Sequence, residues 1–341
     1  MIASSGGNDD SEKDAIHPAD ECNKILGPNT PVMVLVLSAA EVDRNLDIAT
    51  LVDVVDNALV KQAADKVKRP QRPHFTVGAG LDDDEPIGTG IAMPAYVYGA
   101  DHYATKLVGV HEDNETRNLP TINAQVILTE ARTGLPKAFM AGTTITNART
   151  GCIGAVSVRA LAPESGDDGL TLGVIGAGAQ ARWQTRAIET VTALSDVRIY
   201  SPSDSREACA ADLMKKGIPA RAVDTPRKAV AGADVVVTAT TATNPVFPPD
   251  ALGAGSLVVA VGAFTAEMQE LNPRVLERAK QSFADVPEDV AETGDSLATD
   301  LTTDDRVELG VPLTNGYGRD SPDEILTVIS VGSATLDAAS G

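Results

Sequence analysis

Residues 170–181 read LTLGVIGAGAQA, an apolar run that passes into a glycine-rich turn and then into a helix. Gly176, Gly178 and Ala181 form the pattern G-x-G-x-x-A directly after this run. The first glycine permits a tight turn, the second lets a diphosphate approach the backbone, and the alanine lets the helix pack closely on the strand. Because the first N–H groups of a helix favour an anion, the stretch predicts a dinucleotide-binding βα unit.

The chain after this stretch alternates between apolar strands and helices. One helix is expected to run to residue 194 and another lies near 204–216. The strands read VRIY at 197–200, ARAV at 220–223, ADVVVTAT at 233–240 and SLVVAVGA at 256–263. Continuous apolar strands separated by helices are typical of a parallel sheet covered on both faces. We therefore expect an α/β fold, with a Rossmann-type doubly wound domain over residues 151–299.

The chain before it has a different pattern. A strand at 32–37 precedes a helix that begins at Ser38 and runs to Lys66. Short apolar runs between 75 and 139 then alternate with turn signals, which predicts an antiparallel β region with a hairpin turn at Thr133-Gly134.

A helix rich in small residues follows at 146–162, and the end of the chain supplies a strand and the start of a helix. We expect residues 32–150 and 300–341 to form a second domain of mixed α+β type. Residues 1–31 are polar and aperiodic, which predicts a flexible acidic extension.

The charge balance excludes several classes of function. The 341 residues contain 28 Lys and Arg against 48 Asp and Glu, a formal net charge of −20. Such a chain repels phosphate backbones, so we expect no nucleic-acid partner. No apolar run reaches the roughly 18 residues of a membrane helix, so we expect no membrane partner. The N-terminus has neither a basic nor an apolar signal region, and the three scattered cysteines fit a reducing cytoplasm.

The basic residues are 11 Lys and 17 Arg. An acid-rich, lysine-poor surface resembles proteins of salt-accumulating organisms, in which screening relieves self-repulsion. The alternative is an acidic enzyme adapted to ordinary salt.

The end of the second predicted strand decides between the two nicotinamide dinucleotides. An acid there would bind the adenosine ribose hydroxyls and select NAD. This chain instead offers Ser201 and Ser203, with Arg206 just beyond, and these suit the 2′-phosphate of NADP. Asp204 keeps NAD open as the alternative.

The motifs along the chain resemble the ornithine cyclodeaminase/mu-crystallin family. They include MPAY at 93–96, NLPT at 118–121, ARTG at 131–134, TNART at 146–150, VIGAGAQA at 174–181, TAT at 238–240, VGA at 261–263 and SVG at 330–332. The resemblance covers about residues 32–337. It implies a homodimer in which the N-terminal β domain supplies both the subunit contact and the pocket for a small amino- or imino-acid substrate.

The resemblance also implies which residues act. The substrate carboxylate would be held by Arg72, Lys106 and Arg149, although Arg69 could exchange roles with Arg72. A carboxylate suits a bidentate guanidinium, and a lysine beside two arginines has a lowered pKa, which suits a general acid. Lys106 and Arg149 are the candidate catalytic residues. Family matches around the cofactor are Thr121, Arg149, Gly176, Gly178, Ala179, Gln180, Thr240, Val261 and Ser330.

One departure from the family decides the expected reaction. Ornithine cyclodeaminases carry an aspartate where this chain has Phe264, in AVGAFTAEMQEL. Phenylalanine cannot handle a substrate amine, but it offers a flat wall to a ring. Glu267 and Glu270 follow and could replace the acid, although a capping role at a helix start is the favoured interpretation.

We therefore expect an NAD(P)H-dependent ketimine reductase of cyclic imino acids such as Δ1-pyrroline-2-carboxylate or Δ1-piperideine-2-carboxylate, yielding proline or pipecolate. The alternatives are ornithine cyclodeaminase, then alanine dehydrogenase, then a non-catalytic protein that binds NADP and a small ligand. The four histidines never adopt metal-ligand spacing, so no metal is expected.

The charge pattern makes a prediction about salt. At low ionic strength of about 0.01 M the Debye length is about 30 Å, so the acidic surface repels itself, whereas at 1 M it is about 3 Å. We expect a stable dimer in molar salt that loses stability or activity on desalting. Thermal melts and light scattering from about 0.05 to 3 M KCl measure this, and a constant melting temperature and dimer mass across the series would contradict it.

Overall fold

The computed structural model describes residues 33–81, 84–117, 119–164 and 168–341. The extension expected over residues 1–31 lies outside this part of the chain. Among the described residues, no helix is both long enough and apolar enough to cross a bilayer.

The described chain forms two sheets flanked by helices. The strands are β1 (Leu35–Leu37), β2 (Val67–Lys68), β3 (His74–Val77), β4 (Gly88–Val97), β5 (His102–Val110), β6 (Ile122–Glu130), β7 (Pro136–Ala141), β8 (Leu170–Ile175), β9 (Leu194–Tyr200), β10 (Ala220–Ala222), β11 (Val235–Thr238), β12 (Leu257–Ala260), β13 (Gln281–Ala284), β14 (Arg306–Glu308) and β15 (Leu326–Ile329). The α-helices are α1 (Ala39–Asn45), α2 (Ile48–Ala63), α3 (Gly142–Leu161), α4 (Ala179–Glu189), α5 (Ser205–Met214), α6 (Pro226–Val230), α7 (Pro273–Arg278), α8 (Pro287–Val290), α9 (Gly294–Leu297), α10 (Gly310–Asn315) and α11 (Ala334–Ser340).

The first sheet has the order β1-β7-β6-β5-β4-β2, with β3 also paired to β4. Its pairs are antiparallel except for β1 with β7, which is parallel. The inner face packs against α1, α3 and α11, with Val42, Val126 and Ile145 in the core between them. The antiparallel region matches the sequence pattern, and Gly134 has the positive φ of 75° that the hairpin turn between β6 and β7 requires.

The second sheet has the order β10-β9-β8-β11-β12-β15-β13-β14, and its pairs are parallel. The first five strands follow the Rossmann order 3-2-1-4-5, whose switch point lies between β8 and β11. Val235 and Val237 face a core shared with α2 to α5, whereas Val236 faces the core with α6 and α7 on the other side. The predicted doubly wound sheet is therefore confirmed.

Two helix predictions need correction. The helix expected from Ser38 to Lys66 is two helices, because Asp47 interrupts it: the Asp47 carboxylate accepts the Thr50 N–H at 3.1 Å and caps α2. The helix expected to run to Leu194 ends at Glu189, since Leu194 already pairs with β8 as the first residue of β9.

The division between the two domains also differs from the expectation. The sequence pattern places residues 300–341 in the mixed domain, but β14 and β15 lie in the parallel sheet. The apolar run of β15 pairs with β12 on one side and β13 on the other, so all four of its residues are buried in that sheet. Within 300–341 it is α11 that packs against the strands of the first sheet, through Ala334 beside Met93 and Ala95. Helix α3 crosses the boundary expected at residue 150 and joins the two domains.

The Glu270 side chain joins the carboxyl ends of β11 and β12 through hydrogen bonds. Its carboxylate accepts the Thr238 hydroxyl at 2.9 Å, the Thr240 N–H at 2.7 Å and hydroxyl at 2.8 Å, and the Gly262 N–H at 2.8 Å. Burial raises the pKa of Glu270 to about 7, although these four donors oppose the rise. No helix starts here, because the next helix begins at Pro273, so the expected capping role for Glu270 is wrong.

Replacing this carboxylate by an amide should destabilise the fold. Each carboxylate oxygen accepts one backbone N–H, so the NH₂ group in Glu270→Gln must face a donor on one side. An unsatisfied buried group costs about 1–3 kcal/mol, and we expect the free energy of unfolding at pH 8 to fall by that amount in urea titrations. The control is Glu267→Gln, an exposed residue of the same segment. Equal stabilities for the two variants would contradict the proposed role.

Candidate active site

A cavity of about 1080 Å³ lies between the two sheets at the carboxyl ends of β8 and β11. Of the residues expected to bind substrate or cofactor, it brings together all except Ser203 and Arg206; the alternatives Arg69, Asp204, Glu267 and Glu270 do not line it. The candidates that line it are Arg72, Lys106, Thr121, Arg149, Gly176, Gly178, Ala179, Gln180, Ser201, Thr240, Val261, Phe264 and Ser330. These positions come from both domains, so the cavity forms only where the domains meet.

The glycine-rich turn fits a dinucleotide. Gly176 has φ of 110°, and a Cβ there would lie 2.4 Å from the Ala239 carbonyl oxygen, so only glycine is tolerated. A Cβ on Gly178 would meet nothing within 4 Å, which leaves open space above the backbone for a diphosphate. Helix α4 begins at the next residue, Ala179, with its free N–H groups toward this space.

Arg182 stabilises this turn and was missed in the sequence. Its Nη1 donates to the carbonyl oxygens of Ala177 at 2.6 Å and Gly178 at 3.2 Å. Its Nε and Nη2 donate to the Asp212 carboxylate on α5, at 3.1 and 3.0 Å. An arginine one turn into the helix after the glycines was the available signal.

Three serine hydroxyls cluster at the end of β9. The Ser205 oxygen lies 2.7 Å from that of Ser203 and 3.1 Å from that of Ser201. Arg206 does not reach the cavity wall, because its Nη1 donates to the carbonyl oxygens of Ser201 and Ser203 at 3.0 and 3.3 Å. Asp204 occupies the N-cap position of α5 without a side-chain capping bond.

A buried ion cluster forms the opposite end of the cavity. Lys106 projects from β5 and Arg149 from α3, and both contact Asp337 on α11. The Lys106 Nζ lies 2.6 Å from Asp337 Oδ2, and the Arg149 Nε donates to Asp337 Oδ1 at 3.0 Å. Asp337 is only 1% exposed. Its signal in the sequence was one acid among the small and apolar residues of the last helix.

One guanidinium nitrogen of Arg149 is an unpartnered hydrogen-bond donor. Within the described residues its Nη1 is buried and has no hydrogen-bond partner. A Cβ on Gly332 would lie 2.6 Å from this nitrogen, so a glycine is needed for the guanidinium to lie against the backbone. A buried donor without a partner is costly, and it fits a site for an anionic ligand atom.

The cluster shifts the pKa values of its members. Burial, together with the charges of Arg149 and Arg72, lowers the pKa of Lys106 to about 8, although the charge of Asp337 opposes them. Burial alone would raise the pKa of Asp337, but Arg149 and Lys106 outweigh it and hold that pKa below its usual value. The lowered pKa that the sequence led us to expect for Lys106 is thus present, with burial as its largest cause.

Arg72, and not Arg69, reaches the cavity. Both guanidinium groups contact the Asp289 carboxylate of α8, Arg69 at 3.1 Å. Arg72 is among the residues that line the cavity, close enough for its charge to act on Lys106.

The Ser330 side chain is oriented by a hydrogen bond to a buried carboxylate. Asp285 accepts the Ser330 hydroxyl at 2.7 Å and the Gly332 N–H at 2.8 Å. Burial raises the pKa of Asp285, although these donors and Arg149 oppose the rise. The hydroxyl proton points to Asp285, which leaves the Ser330 oxygen lone pairs available to a ligand.

Phe264 forms part of the cavity wall and is 46% exposed. Neither following acid replaces the missing aspartate, because Glu267 is exposed at the surface and Glu270 is buried beneath the strand ends.

Among the described residues, no three His, Cys, Asp or Glu side chains are grouped as a metal ion would need.

Known proteins resemble this chain over most of its length. A Δ1-pyrroline-2-carboxylate reductase of Bacillus cereus is 30% identical over 313 residues, which cover 89% of this chain and 93% of the relative. The structure of Thermococcus litoralis Δ1-pyrroline-2-carboxylate reductase with NADH and L-proline superposes with a TM-score of 0.82 at 28% identity, covering 90% of this chain and 95% of that one. An archaeal alanine dehydrogenase dimer with bound NAD gives a TM-score of 0.80 at 27% identity, covering 90% and 93%.

The sequence signature of the ornithine cyclodeaminase/mu-crystallin family matches residues 32–340. The match spans both sheets and every candidate residue of the cavity, so the resemblance drawn from the motifs is confirmed. The chain belongs to the ornithine cyclodeaminase/mu-crystallin family.

Proposed function

We propose that this protein is an NADPH-dependent reductase of cyclic 2-imino acids, with Δ1-pyrroline-2-carboxylate or Δ1-piperideine-2-carboxylate as substrate. The observation that carries the proposal is the unpartnered Arg149 Nη1 beside Lys106, at the end of a cavity that also contains the dinucleotide turn. The names of the B. cereus and T. litoralis relatives support the same reaction.

The charge of the cluster suits one carboxylate. Lys106 and Arg149 carry two positive charges and Asp337 carries one negative charge, so one positive charge is left over. The substrate α-carboxylate would neutralise it by accepting from Arg149 Nη1 and Lys106 Nζ, with Arg72 on the remaining side. Charge-assisted hydrogen bonds of this kind are the strong ones and fix orientation.

Lys106 is our candidate for the acid. Its pKa of about 8 keeps it protonated at neutral pH and close enough to that pH to give up a proton. When bound, the reduced nicotinamide supplies a hydride to the imine carbon. Lys106 would donate the proton that the ring nitrogen gains, directly or through water, and recover it from solvent. Phe264 would lie flat against the ring and exclude water.

The three-serine cluster supports NADP over NAD. Ser201 and Ser205 offer hydroxyls to the cavity at the end of β9, Ser203 supports them from behind, and Asp204, the acid of this segment, does not line the cavity. Arg206 would orient this cluster through the Ser201 and Ser203 carbonyl groups.

A second copy of the chain would cover the outer face of the first sheet. Val36, Phe75 and Phe139 lie on this face, and Val36 is 75% and Phe75 53% exposed. Large apolar side chains exposed together mark a protein contact, and the archaeal alanine dehydrogenase is a dimer.

The buried free thiols of Cys152 and Cys209 support the reducing cytoplasm as the compartment.

A substrate panel tests the reaction. We expect consumption of NADPH in preference to NADH with the five- or six-membered cyclic imine, little ammonia release from ornithine and little NADH-linked amination of pyruvate. Arg149→Ala should lower kcat/KM for the imine by about 10–150-fold, because a charged hydrogen bond is worth roughly 1.5–3 kcal/mol. Arg149→Lys keeps a positive charge beside Asp337, so its kcat/KM should lie between those of the unmodified protein and Arg149→Ala.

The control for that series is Arg274→Ala, an exposed arginine outside the cavity. Near-normal kcat/KM in Arg149→Ala would reject the proposed pocket. Tight NADPH binding without turnover of any substrate would favour a binding protein.

Restoring the missing acid should redirect the chemistry. Phe264→Asp places a carboxylate in the cavity where a substrate amine could be handled, so we expect ornithine-dependent ammonia release to appear and imine reduction to fall. Phe264→Leu is the control, because it removes the ring without adding an acid. Efficient conversion of ornithine by the unmodified protein would instead favour a cyclodeaminase.

A further inference from the structure

We propose that Asp337 is a positioning residue that keeps Lys106 protonated and aimed into the cavity, and so sets the pH range in which the enzyme works. The inference rests on the proposed function only in taking Lys106 as the acid. Asp337 acts through Lys106 and Arg149 and need not touch the substrate.

The position of Asp337 is fixed from outside its own helix. Ser333 caps α11: its oxygen accepts the Thr335 N–H at 3.2 Å, and its hydroxyl donates to Gln62 Oε1 at 2.7 Å. The other end of the Gln62 amide donates to the Asp285 carbonyl oxygen. Helix α2, the loop after β13 and α11 are therefore joined one turn before Asp337.

The carboxylate divides its oxygens between the two cations. Oδ1 accepts from the Arg149 Nε at 3.0 Å, and Oδ2 forms an ion pair with the Lys106 Nζ at 2.6 Å. Arg149 Nη1 has no hydrogen-bond partner among the described residues and remains for a ligand. Without Asp337, two buried cations would face each other with nothing to hold their orientation.

The groups that act on Lys106 oppose one another. Burial, Arg149 on α3 and Arg72 before β3 lower its pKa, and Asp337 is the charge that raises it. Asp285 acts on Arg149 but is engaged by Ser330 and Gly332, and Cys152 is neutral because burial raises its pKa to about 12. Removing the charge of Asp337 should therefore drive the pKa of Lys106 well below 8.

The direction of the pH effect follows from the acid role. Activity needs protonated Lys106, so kcat/KM should fall as the pH rises through the Lys106 pKa of the free enzyme. In Asp337→Asn that limb should move to lower pH by at least one unit. A shift of one unit from a pKa of about 8 corresponds to a loss of about fivefold in kcat/KM at pH 8, approaching tenfold at higher pH, and the loss should shrink toward pH 6.

The test compares pH profiles of kcat/KM for the wild type and three variants. Lys106→Arg should lose the limb near pH 8, because a guanidinium does not deprotonate in this range. The comparison variant is Asp285→Asn, which removes a second buried carboxylate near Arg149: its overall kcat/KM should fall because Ser330 and Gly332 lose their acceptor, but the limb should stay at the same pH. A uniform loss of kcat/KM at every pH in Asp337→Asn would mean a merely structural role and overturn the proposal.

A measurement without substrate separates this proposal from the proposed reaction. In protein labelled with ¹³C at lysine Cε, the Lys106 signal is identified by its absence in Lys106→Arg and titrated directly. We expect a pKa near 8 in the wild type and a lower value in Asp337→Asn. Equal values would overturn the inference even if imine reduction is observed, and a shifted value would support it even if that reduction is not. If Asp337→Asn does not fold, an ordinary lysine pKa above 10 for Lys106 in the wild type is the result that overturns it.

Discussion

One buried carboxylate joins the parts of the molecule that form the cavity. Asp337 lies on the last helix, Lys106 on the antiparallel sheet and Arg149 on the helix that links the two domains. Each of these charges alone would be costly to bury, and together they satisfy one another. Because β15 runs inside the parallel sheet immediately before α11, the chain that carries Asp337 is anchored in one domain and reaches into the other. The cationic end of the cavity is therefore complete only when both domains are folded and docked.

Two further buried carboxylates stabilise the backbone that lines the dinucleotide side of the cavity. Glu270 and Asp285 accept from hydroxyls and backbone N–H groups, and among the described residues neither forms an ion pair like that of Asp337. Strand ends and loops leave N–H groups that need acceptors, and these carboxylates supply them where water cannot enter. Their raised pKa values reflect burial, whereas that of Asp337 is lowered by its cations. Glu270 and Asp285 thus stabilise the backbone of the cavity wall, whereas Lys106 and Arg149 supply the positive charge that would bind a ligand.

Local sequence patterns were sufficient for the fold class. The run before Gly176 and the apolar strands after it predict a covered parallel sheet because their periodicity is a local property. The boundary near residue 300 could not be found this way, since nothing in LTVI at 326–329 indicates which strands it pairs with. The same applies to Asp337, whose partner Lys106 lies far away along the chain. Arg69 and Arg72 have equivalent surroundings in the sequence, and only the folded backbone decides which guanidinium reaches the cavity.

The cationic cluster stands in contrast to the rest of the chain. A net charge of −20 repels the anions that this cavity would bind, both a dinucleotide and an imino-acid carboxylate. Salt screens that long-range repulsion, because at 1 M the Debye length is about 3 Å. The buried contacts of Asp337 with Lys106 and Arg149 are shorter than or comparable to that length and lie out of water, so salt weakens them much less. High salt would therefore remove the barrier to approach while leaving the binding site intact, which makes an acidic surface and an anion-binding site compatible in one protein.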